Sequence, residues 1–251
     1  MPASGLALAA SATLRAASLN LCTDEYLLLL ARPQEIVSVS HLSRDPLEST
    51  LWRQARRHPA NSGSLEGVVA HRPTLVLTMG GAGRASGLIA QRLGIRVLDL
   101  PYPATLADVE RQTLQVAAAL GDPRRALTFR RALAELRSTR PTLLRDAAFL
   151  SAGGLSFSPD SLGARWMTLA GARQRALPRA RLSLEELATR PPSLLIRSTY
   201  RAGQMSRGQA WMTHPAVRRL GPRTISTDGR PWTCAGLPMI AEVRRLRERM
   251  R

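Results

Sequence analysis

A 14-residue pattern occurs twice in this chain, and the two copies lie 119 residues apart with no gap inside either copy. Residues 64–77 read SLEGVVAHRPTLVL, and residues 183–196 read SLEELATRPPSLLI. In each copy a serine and a glutamate open a helix, a proline closes it, and an apolar strand follows. Two copies are too few for a solenoid, so the repeat predicts two matching lobes. The simpler alternative is that the copies are two common helix starts.

The elements around the two copies follow the same order. Strand and helix signals alternate up to residue 103, and the alternation resumes at residue 147. This rhythm is typical of parallel sheets with helices on their faces. Between the two parts, residues 105–140 show helical periodicity, which is broken at Gly121-Asp122-Pro123.

These patterns predict an α/β protein with two lobes. Each lobe is expected to hold a mostly parallel sheet flanked by helices, a long connecting helix joins them, and a ligand cleft lies between them. We assign residues 1–12 to a residual signal peptide, 13–103 to the N-terminal lobe, 104–141 to the connecting helical spine and 142–251 to the C-terminal lobe.

The formal net charge is +18, and all of the positive charge comes from arginine because the chain has no lysine. A basic surface attracts anions. The arginines are scattered, however, and no recognition motif accompanies them, so nucleic-acid binding is not expected. The absence of lysine also excludes a Walker phosphate loop.

The start of the chain has features of an export signal. Residues 5–12 are small or apolar and end in Ala10-Ser11-Ala12, an A-x-A cleavage pattern. We interpret them as the remains of a signal peptide and predict a periplasmic protein. The alternative is an irregular N-terminus. No apolar run reaches the length of about 18 residues that a membrane span needs.

The ends of the predicted strands indicate where a ligand would bind. In open α/β sheets, ligands bind beyond the carboxyl ends of the strands, and two facing lobes would share one cleft there. The candidate ligand-binding residues are Cys22, Thr23, Asp24, His41, Arg44, Gly80, Gly81, Arg84, Tyr102, Ser158, Tyr200, Arg201, Arg230 and Trp232.

Six segments carry a resemblance to a known family. They are SLNLCTDEYLLLL, SLEGVVAHRPTLVLT, LGIRVLDLPYP, SPDSLGARWMTLAG, SLEELATRPPSLLI and PWTCAGLPMIAEVRRL. In this order, with a long helix after the third, the chain resembles the periplasmic substrate-binding proteins of ABC importers for cobalamin and ferric siderophores from about residue 15 to residue 247. The resemblance implies a monomeric, non-enzymatic protein without a covalent cofactor. Such a protein captures a metal chelate (cobalamin, a ferric siderophore or haem) and delivers it to an ABC permease of the inner membrane.

The resemblance also assigns roles to single residues. In that family a rigid helix joins the lobes, and one acidic residue on each lobe docks into arginines of the permease. Glu66 and Glu185 match these positions, one in each copy of the repeat. An anionic chelate would be neutralised by Arg44, Arg84, Arg201 and Arg230, and a planar one would stack on Tyr102, Tyr200 and Trp232.

Two positions depart from the cobalamin-binding pattern. Met79 stands where such proteins have a tryptophan, and Ala235 stands where they have a basic residue. The chelate is therefore left open between a corrinoid, a siderophore and haem.

Two other functions remain as alternatives. A two-lobed enzyme of the metal chelatase kind would use His41 and His214. A nucleotide site is suggested by Gly81-x-Gly83 after a strand, but Ser86 stands where that fingerprint needs glycine or alanine.

The chain has two cysteines, Cys22 and Cys234, one in each lobe. Neither has the spacing to a second ligand that a metal site requires. A disulfide between opposite rims would clamp the cleft shut, so we expect reduced or buried thiols.

Overall fold

The computed structural model describes residues 14–81 and 83–251, with side chains omitted for residues 83–86. The N-terminal stretch interpreted as a signal peptide lies outside the described residues. Of the helices in the described part, none has both the length and the hydropathy needed to cross a bilayer. The strands are β1 (Ala16–Ser18), β2 (Ile36–Ser40), β3 (Ala60–Asn61), β4 (Leu75–Met79), β5 (Arg96–Leu100), β6 (Arg145–Leu150), β7 (Ala172–Gln174), β8 (Leu194–Ser198) and β9 (Thr224–Thr227). The α-helices are α1 (Leu21–Leu30), α2 (Trp52–Ala55), α3 (Glu66–Val69), α4 (Gly83–Arg92), α5 (Leu106–Ala119), α6 (Leu127–Ser138), α7 (Leu162–Ala170), α8 (Leu184–Thr189), α9 (Arg207–Met212), α10 (Pro215–Arg218), α11 (Arg230–Cys234) and α12 (Met239–Met250).

Two parallel sheets form the two lobes. The strand order is β3-β2-β1-β4-β5 in the N-terminal lobe and β7-β6-β8-β9 in the C-terminal lobe. The two repeat strands, β4 and β8, are central and nearly completely buried, which explains their apolar sequences. Each pairs in parallel with the first strand of its own lobe, β1 or β6. The repeat therefore reflects two matching sheets, and the predicted fold class is confirmed.

Each sheet has one point at which the direction of strand addition reverses. After β1 the chain adds β2 and β3 on one side and then crosses to β4 on the other. After β6 it adds β7 on one side and then crosses to β8. The loops at the carboxyl ends diverge at such a reversal and leave a crevice, the usual ligand position in open α/β sheets.

The connecting segment consists of two helices instead of one. Gly121, with a φ of 84°, follows α5, and the carboxylate of Asp122 accepts the N–H of Arg124 at 3.1 Å to start a 3-10 turn before α6. Glu110 of α5 accepts hydrogen bonds from Arg130 at 3.2 Å and Arg137 at 3.1 Å, both on α6. The expected single stiff spine is thus corrected to a helical pair, because the glycine and the following proline end the first helix.

The two connecting helices are attached to different lobes. On the N-terminal side, the buried hydroxyl of Tyr26 on α1 donates to Gln112 of α5 at 2.9 Å. On the C-terminal side, Arg247 of α12 donates to the carbonyl oxygen of Leu136 in α6 at 2.6 Å. The connector is therefore anchored at both ends.

One apolar core extends through both lobes. It includes Tyr26 and Leu77 from the N-terminal lobe, Leu133 from the connector, and Phe149 and Trp166 from the C-terminal lobe. Pulling the lobes apart would expose this surface at a cost of about 25 cal/mol per Å². We therefore expect only small changes in the angle between the lobes.

Candidate functional site

On the N-terminal lobe, the turn after β4 and the segment after β5 meet at the carboxyl ends of these two strands. Gly80 and Gly81 have φ values of +80° and +86°, and the side chain of Tyr102 lies against this turn while remaining 73% exposed. A Cβ atom on Gly80 would lie 2.5 Å from the Tyr102 ring, so glycine is required for this contact. The structure thus brings three of the predicted ligand-binding residues together.

On the C-terminal lobe, the corresponding face is aromatic. Phe149, Phe157 and Trp232 form a cluster in which the ring centroids are 4.3 to 5.6 Å apart. They line a cavity of about 170 Å³ at the ends of β6 and β8. Trp232 is mostly buried, and its Nε1–H donates to Thr227 Oγ1 at 2.9 Å. Ser158 is exposed on the loop after β6.

Phe157 lies in the loop 156–160 beyond a predicted strand, a segment from which the candidate list names only Ser158. This side chain is half-buried in the cluster and comes from the loop after β6. Its position just beyond a predicted strand was the available signal, because aromatic residues make up only 4% of the chain.

Tyr200 and Arg201 contact the other lobe. The Tyr200 hydroxyl donates to Glu48 Oε2 at 2.6 Å, and the Arg201 guanidinium forms an ion pair with Glu48 Oε1. Burial and the nearby Asp45 carboxylate raise the pKa of Tyr200, so its hydroxyl remains a donor. Glu48 is buried and was not predicted, because nothing in the sequence around it indicates a partner in the other lobe.

Arg230 also bridges the lobes. Its Nη1–H donates to the carbonyl oxygens of Pro46 at 2.7 Å and Ser49 at 3.3 Å, and its Nη2 pairs with Asp228 at 2.6 Å. Burial alone would raise the pKa of Asp228, but hydrogen bonds from Arg230 lower it overall, which keeps both groups charged. In this structure the predicted anion-binding residues Arg201 and Arg230 hold the loop around Glu48.

Cys22 and Cys234 form a disulfide, which corrects the expectation of reduced thiols. The bridge joins α1 to the end of α11 with a Cα–Cα distance of 5.3 Å. These two helices already contact each other where the lobes meet, and Glu25 of α1 lies against Gly236. Pairing therefore requires no closure of the cleft. Both cysteines of the described residues are used, so Cys22 offers no free thiol to a ligand.

Thr23 and Asp24 are fully buried, so the prediction that they contact ligand is corrected. Asn20 accepts the N–H of Thr23 at 3.0 Å and caps α1, so both residues lie in the first turn of the helix and point inward. Asp24 accepts the N–H of Ser40 at 3.0 Å and also its hydroxyl. Both residues are therefore part of the interior of the N-terminal lobe.

Replacing Asp24 by asparagine is expected to weaken the pH dependence of stability. Burial raises the pKa of Asp24 from 3.8 to about 7, and the hydrogen bonds from Ser40 oppose this only partly. The folded state holds this proton more tightly than the unfolded chain does. Its contribution to stability is therefore complete below pH 3.8 and is lost as the pH rises through about 7.

When the pH is raised from about 5 to about 8, ionisation of Asp24 should lower the free energy of unfolding of the wild-type protein by about 2 to 3 kcal/mol. Urea unfolding at both pH values measures the loss, which should be smaller in Asp24→Asn. The exposed residue Asp160 provides the control, Asp160→Asn. Equal losses in the wild type and Asp24→Asn would contradict the assignment.

The remaining candidates are less closely grouped. His41 is exposed in the 3-10 turn after β2, and Arg44 in the same turn is half-buried, with no hydrogen-bond partner for its buried Nε among the described residues. Arg84 belongs to α4, and its side chain lies outside the described part. His214 caps α10 by accepting the N–H of Ala216 at 3.2 Å.

A metal-binding enzyme site is not formed by these groups. Within residues 14–81 and 83–251, no three His, Cys, Asp or Glu side chains are placed to hold a metal ion. The expected use of His41 and His214 in metal insertion therefore has no geometric basis in the described structure.

Glu66 and Glu185 are exposed at the starts of α3 and α8, the helices that precede the two repeat strands. A backbone N–H and the Ser64 hydroxyl lower the pKa of Glu66, so it is ionised at neutral pH. Ser183 caps α8 by accepting the N–H of Glu186 at 3.0 Å. In the described residues neither Glu66 nor Glu185 forms an ion pair, whereas Glu186 pairs with Arg190 at 3.0 Å.

Solved structures with the same fold include three periplasmic proteins. The heme-binding protein HutB of Vibrio cholerae has a TM-score of 0.72 and 19% identity, covering 95% of this chain and 99% of that chain. The heme-binding protein BhuT, solved with two hemes, has a TM-score of 0.69 and 19% identity, covering 94% and 97%. The vitamin B12 binding protein BtuF of Vibrio cholerae has a TM-score of 0.66 and 14% identity, covering 93% and 95%.

Sequence comparisons define the family. No curated protein matched the chain at a significant level. The model of the periplasmic binding protein family, in contrast, matches residues 17–220. This is a family of binding proteins and not of enzymes, which argues against the chelatase alternative. Since the match covers most of the sequence, the chain belongs to the periplasmic binding protein family.

Proposed function

We propose that this protein is an extracytoplasmic solute-binding protein that captures a metal chelate between its lobes and delivers it to an ABC permease in the inner membrane. The observation that carries the proposal is the pair of surfaces at the carboxyl ends of the parallel strands, one on each lobe. One presents the exposed Tyr102 on a glycine turn, and the other presents the cluster of Phe157 and Trp232. Aromatic faces of this kind suit a flat, largely apolar ligand.

The ligand class is supported by the similar structures. Two of them are named for heme and one for vitamin B12, and all three cover more than nine-tenths of this chain. A cobalt corrinoid, a ferric siderophore and haem are therefore the ligands to test. The protein needs no covalently attached cofactor for this role, and the lobes supply the binding surfaces.

Delivery is proposed to use Glu66 and Glu185. Both are exposed carboxylates at equivalent positions of the two lobes, and both are free of ion pairs in the described residues. Two charged contacts held at a fixed separation would fix the orientation of the protein on its permease. Because the lobes share one apolar core, the signal that ligand is bound would come from small changes at the cleft.

Tryptophan fluorescence tests ligand capture directly. Trp232 lies at the aromatic face of the cleft, so a bound chelate should quench its emission. We expect saturable quenching by at least one of cyanocobalamin, haemin and a ferric hydroxamate, with Trp232→Phe losing most of the signal while equilibrium dialysis still detects binding. Absence of saturable binding by either method for all three probes, or turnover with metal insertion, would overturn the proposed function.

A further inference from the structure

Glu48 presents a carboxylate from the N-terminal lobe to a pair of donors on the C-terminal lobe. Its Oε2 accepts the Tyr200 hydroxyl at 2.6 Å, and its Oε1 pairs with the Arg201 guanidinium. The Glu48 side chain is 7% exposed. A hydroxyl and a guanidinium that share one carboxylate in a buried position form a built carboxylate site.

The donor side of this site has unused capacity. Arg201 Nε is buried and has no hydrogen-bond partner among the described residues, although Nη1 donates to Gln204 at 3.3 Å. A guanidinium can bind a carboxylate through two parallel N–H groups, and Glu48 accepts from only one nitrogen of Arg201. Arg201 also has a φ of 51°, a strained conformation for a residue with a side chain, and such strain is concentrated at binding sites.

The surroundings of Arg201 are open and basic. Tyr200 and Arg201 line a cavity of about 600 Å³, together with three further arginines and the acidic residues Asp228 and Glu242. The further arginines are Arg230, Arg245 and Arg249. Guanidinium groups therefore outnumber carboxylates on its wall, which favours the entry of an anion.

The loop that carries Glu48 is a short turn and not part of either sheet. The carboxylate of Asp45 accepts the N–H of Leu47 at 2.8 Å, and its carbonyl oxygen accepts the N–H of Glu48 at 3.1 Å. Leu47 in this turn is 49% exposed. Withdrawal of Glu48 would break the hydrogen bonds from Arg230 to the carbonyl oxygens of Pro46 and Ser49, but it would disturb no strand.

We propose that Tyr200 and Arg201 form a binding site for a ligand carboxylate, and that Glu48 occupies this site as an internal substitute until the ligand replaces it. The inference rests on the proposed function and deepens it by naming the ligand class, a metal chelate with free carboxylates. A chelate without carboxylates gains nothing at Arg201, because it leaves the Glu48 contact in place. Ligands with a carboxylate therefore displace Glu48 from Arg201, and ligands without one do not.

Glu48→Gln tests this competition. The amide oxygen still accepts the Tyr200 hydroxyl, but the negative charge that holds Arg201 is removed. While Glu48 occupies the site, only the fraction of molecules with a free site can bind ligand, and the apparent affinity falls by that fraction. Glu48→Gln weakens this internal competitor and should therefore tighten binding of a carboxylate ligand by about tenfold. Arg201→Gln should weaken the same binding by at least about tenfold.

The probes are chosen in pairs that differ in their carboxylates. Haemin carries two free carboxylates and haemin dimethyl ester carries none, while ferric citrate carries carboxylates without a porphyrin. We expect Glu48→Gln to tighten binding of haemin or of ferric citrate, whichever the wild type binds, and to leave the ester unchanged. The exposed residue Arg92 supplies the matched control, Arg92→Gln, which should bind all probes as the wild type does.

The outcomes separate this inference from the proposed function. If the wild type binds a chelate and Glu48→Gln leaves the acid and the ester equally affected or both unchanged, the inference is wrong while the transport role stands. If the wild type binds cyanocobalamin and no other probe, the inference is also wrong and the transport role stands. If no chelate binds the wild type or Glu48→Gln, although urea unfolding shows both to be folded, the proposed function and the inference both fail.

Discussion

Replacing both Cys22 and Cys234 by serine is expected to lower the free energy of unfolding by about 4 to 5 kcal/mol. The bridge spans a sequence separation of 212 residues, so it removes much of the conformational freedom of the unfolded chain. For a protein of this size, each kcal/mol shifts the melting temperature by about 2 to 4 °C, so the loss should exceed about 8 °C. Urea unfolding of the oxidised wild type and the double variant measures the difference.

Reduction provides the control for this variant. Dithiothreitol should bring the wild-type protein to the stability of the double variant and should leave the double variant itself unchanged. Thiol titration of the unfolded, unreduced protein should find no free cysteine. Equal stability of the oxidised wild type and the double variant would contradict a bridge between the lobes.

The second large effect is expected at the two exposed glutamates. Glu66→Ala together with Glu185→Ala should abolish delivery of ligand to vesicles that contain the permease, while the affinity for the ligand stays unchanged. Each charged contact that becomes buried on docking is worth about 2 kcal/mol or more, and loss of one also removes the advantage of simultaneous binding at the other. Each single variant should therefore weaken docking, and the double variant should fall below detection.

Two other glutamates serve as controls for the docking experiment. Glu186 is adjacent to Glu185 but is held by Arg190 at 3.0 Å and Arg175 at 3.5 Å, and Glu248 is exposed on α12. Glu186→Ala and Glu248→Ala should deliver ligand as the wild type does. Uptake that survives in the double variant would show that the permease recognises another surface.

The fold could be predicted because its evidence is local and repeated. Strands β4 and β8 each lie between two neighbouring strands and are buried, so nearly all of their residues are apolar. Such a continuous apolar run can be recognised in the sequence. The start of α1 was harder to place. Asn20 caps the helix, so Thr23 and Asp24 lie inside its first turn, and Ser40, distant in sequence, satisfies the Asp24 carboxylate.

The candidate site could be predicted only where it depends on neighbouring strand ends. Gly80 and Tyr102 meet because β4 and β5 are adjacent and parallel, which the alternating pattern implies. The partner of Tyr200 is Glu48, which is 152 residues away in the chain and has no sequence pattern of its own. The cysteine pairing was missed for a similar reason, since only the contact between α1 and α11 brings the two thiols together.

The helical pair between the lobes has a consequence for any motion of the protein. Because α5 is bonded to the N-terminal lobe through Gln112 and α6 to the C-terminal helix through Leu136, relative movement of the lobes would displace the two connecting helices against each other. It would also disturb the contact of α5 with α7 and the ion pair of Arg125 with Glu35. Glu110, which holds Arg130 and Arg137, lies where the two connecting helices meet. Ligand-dependent motion would then be a shear of a few tenths of an ångström to about 1–2 Å instead of a hinge rotation.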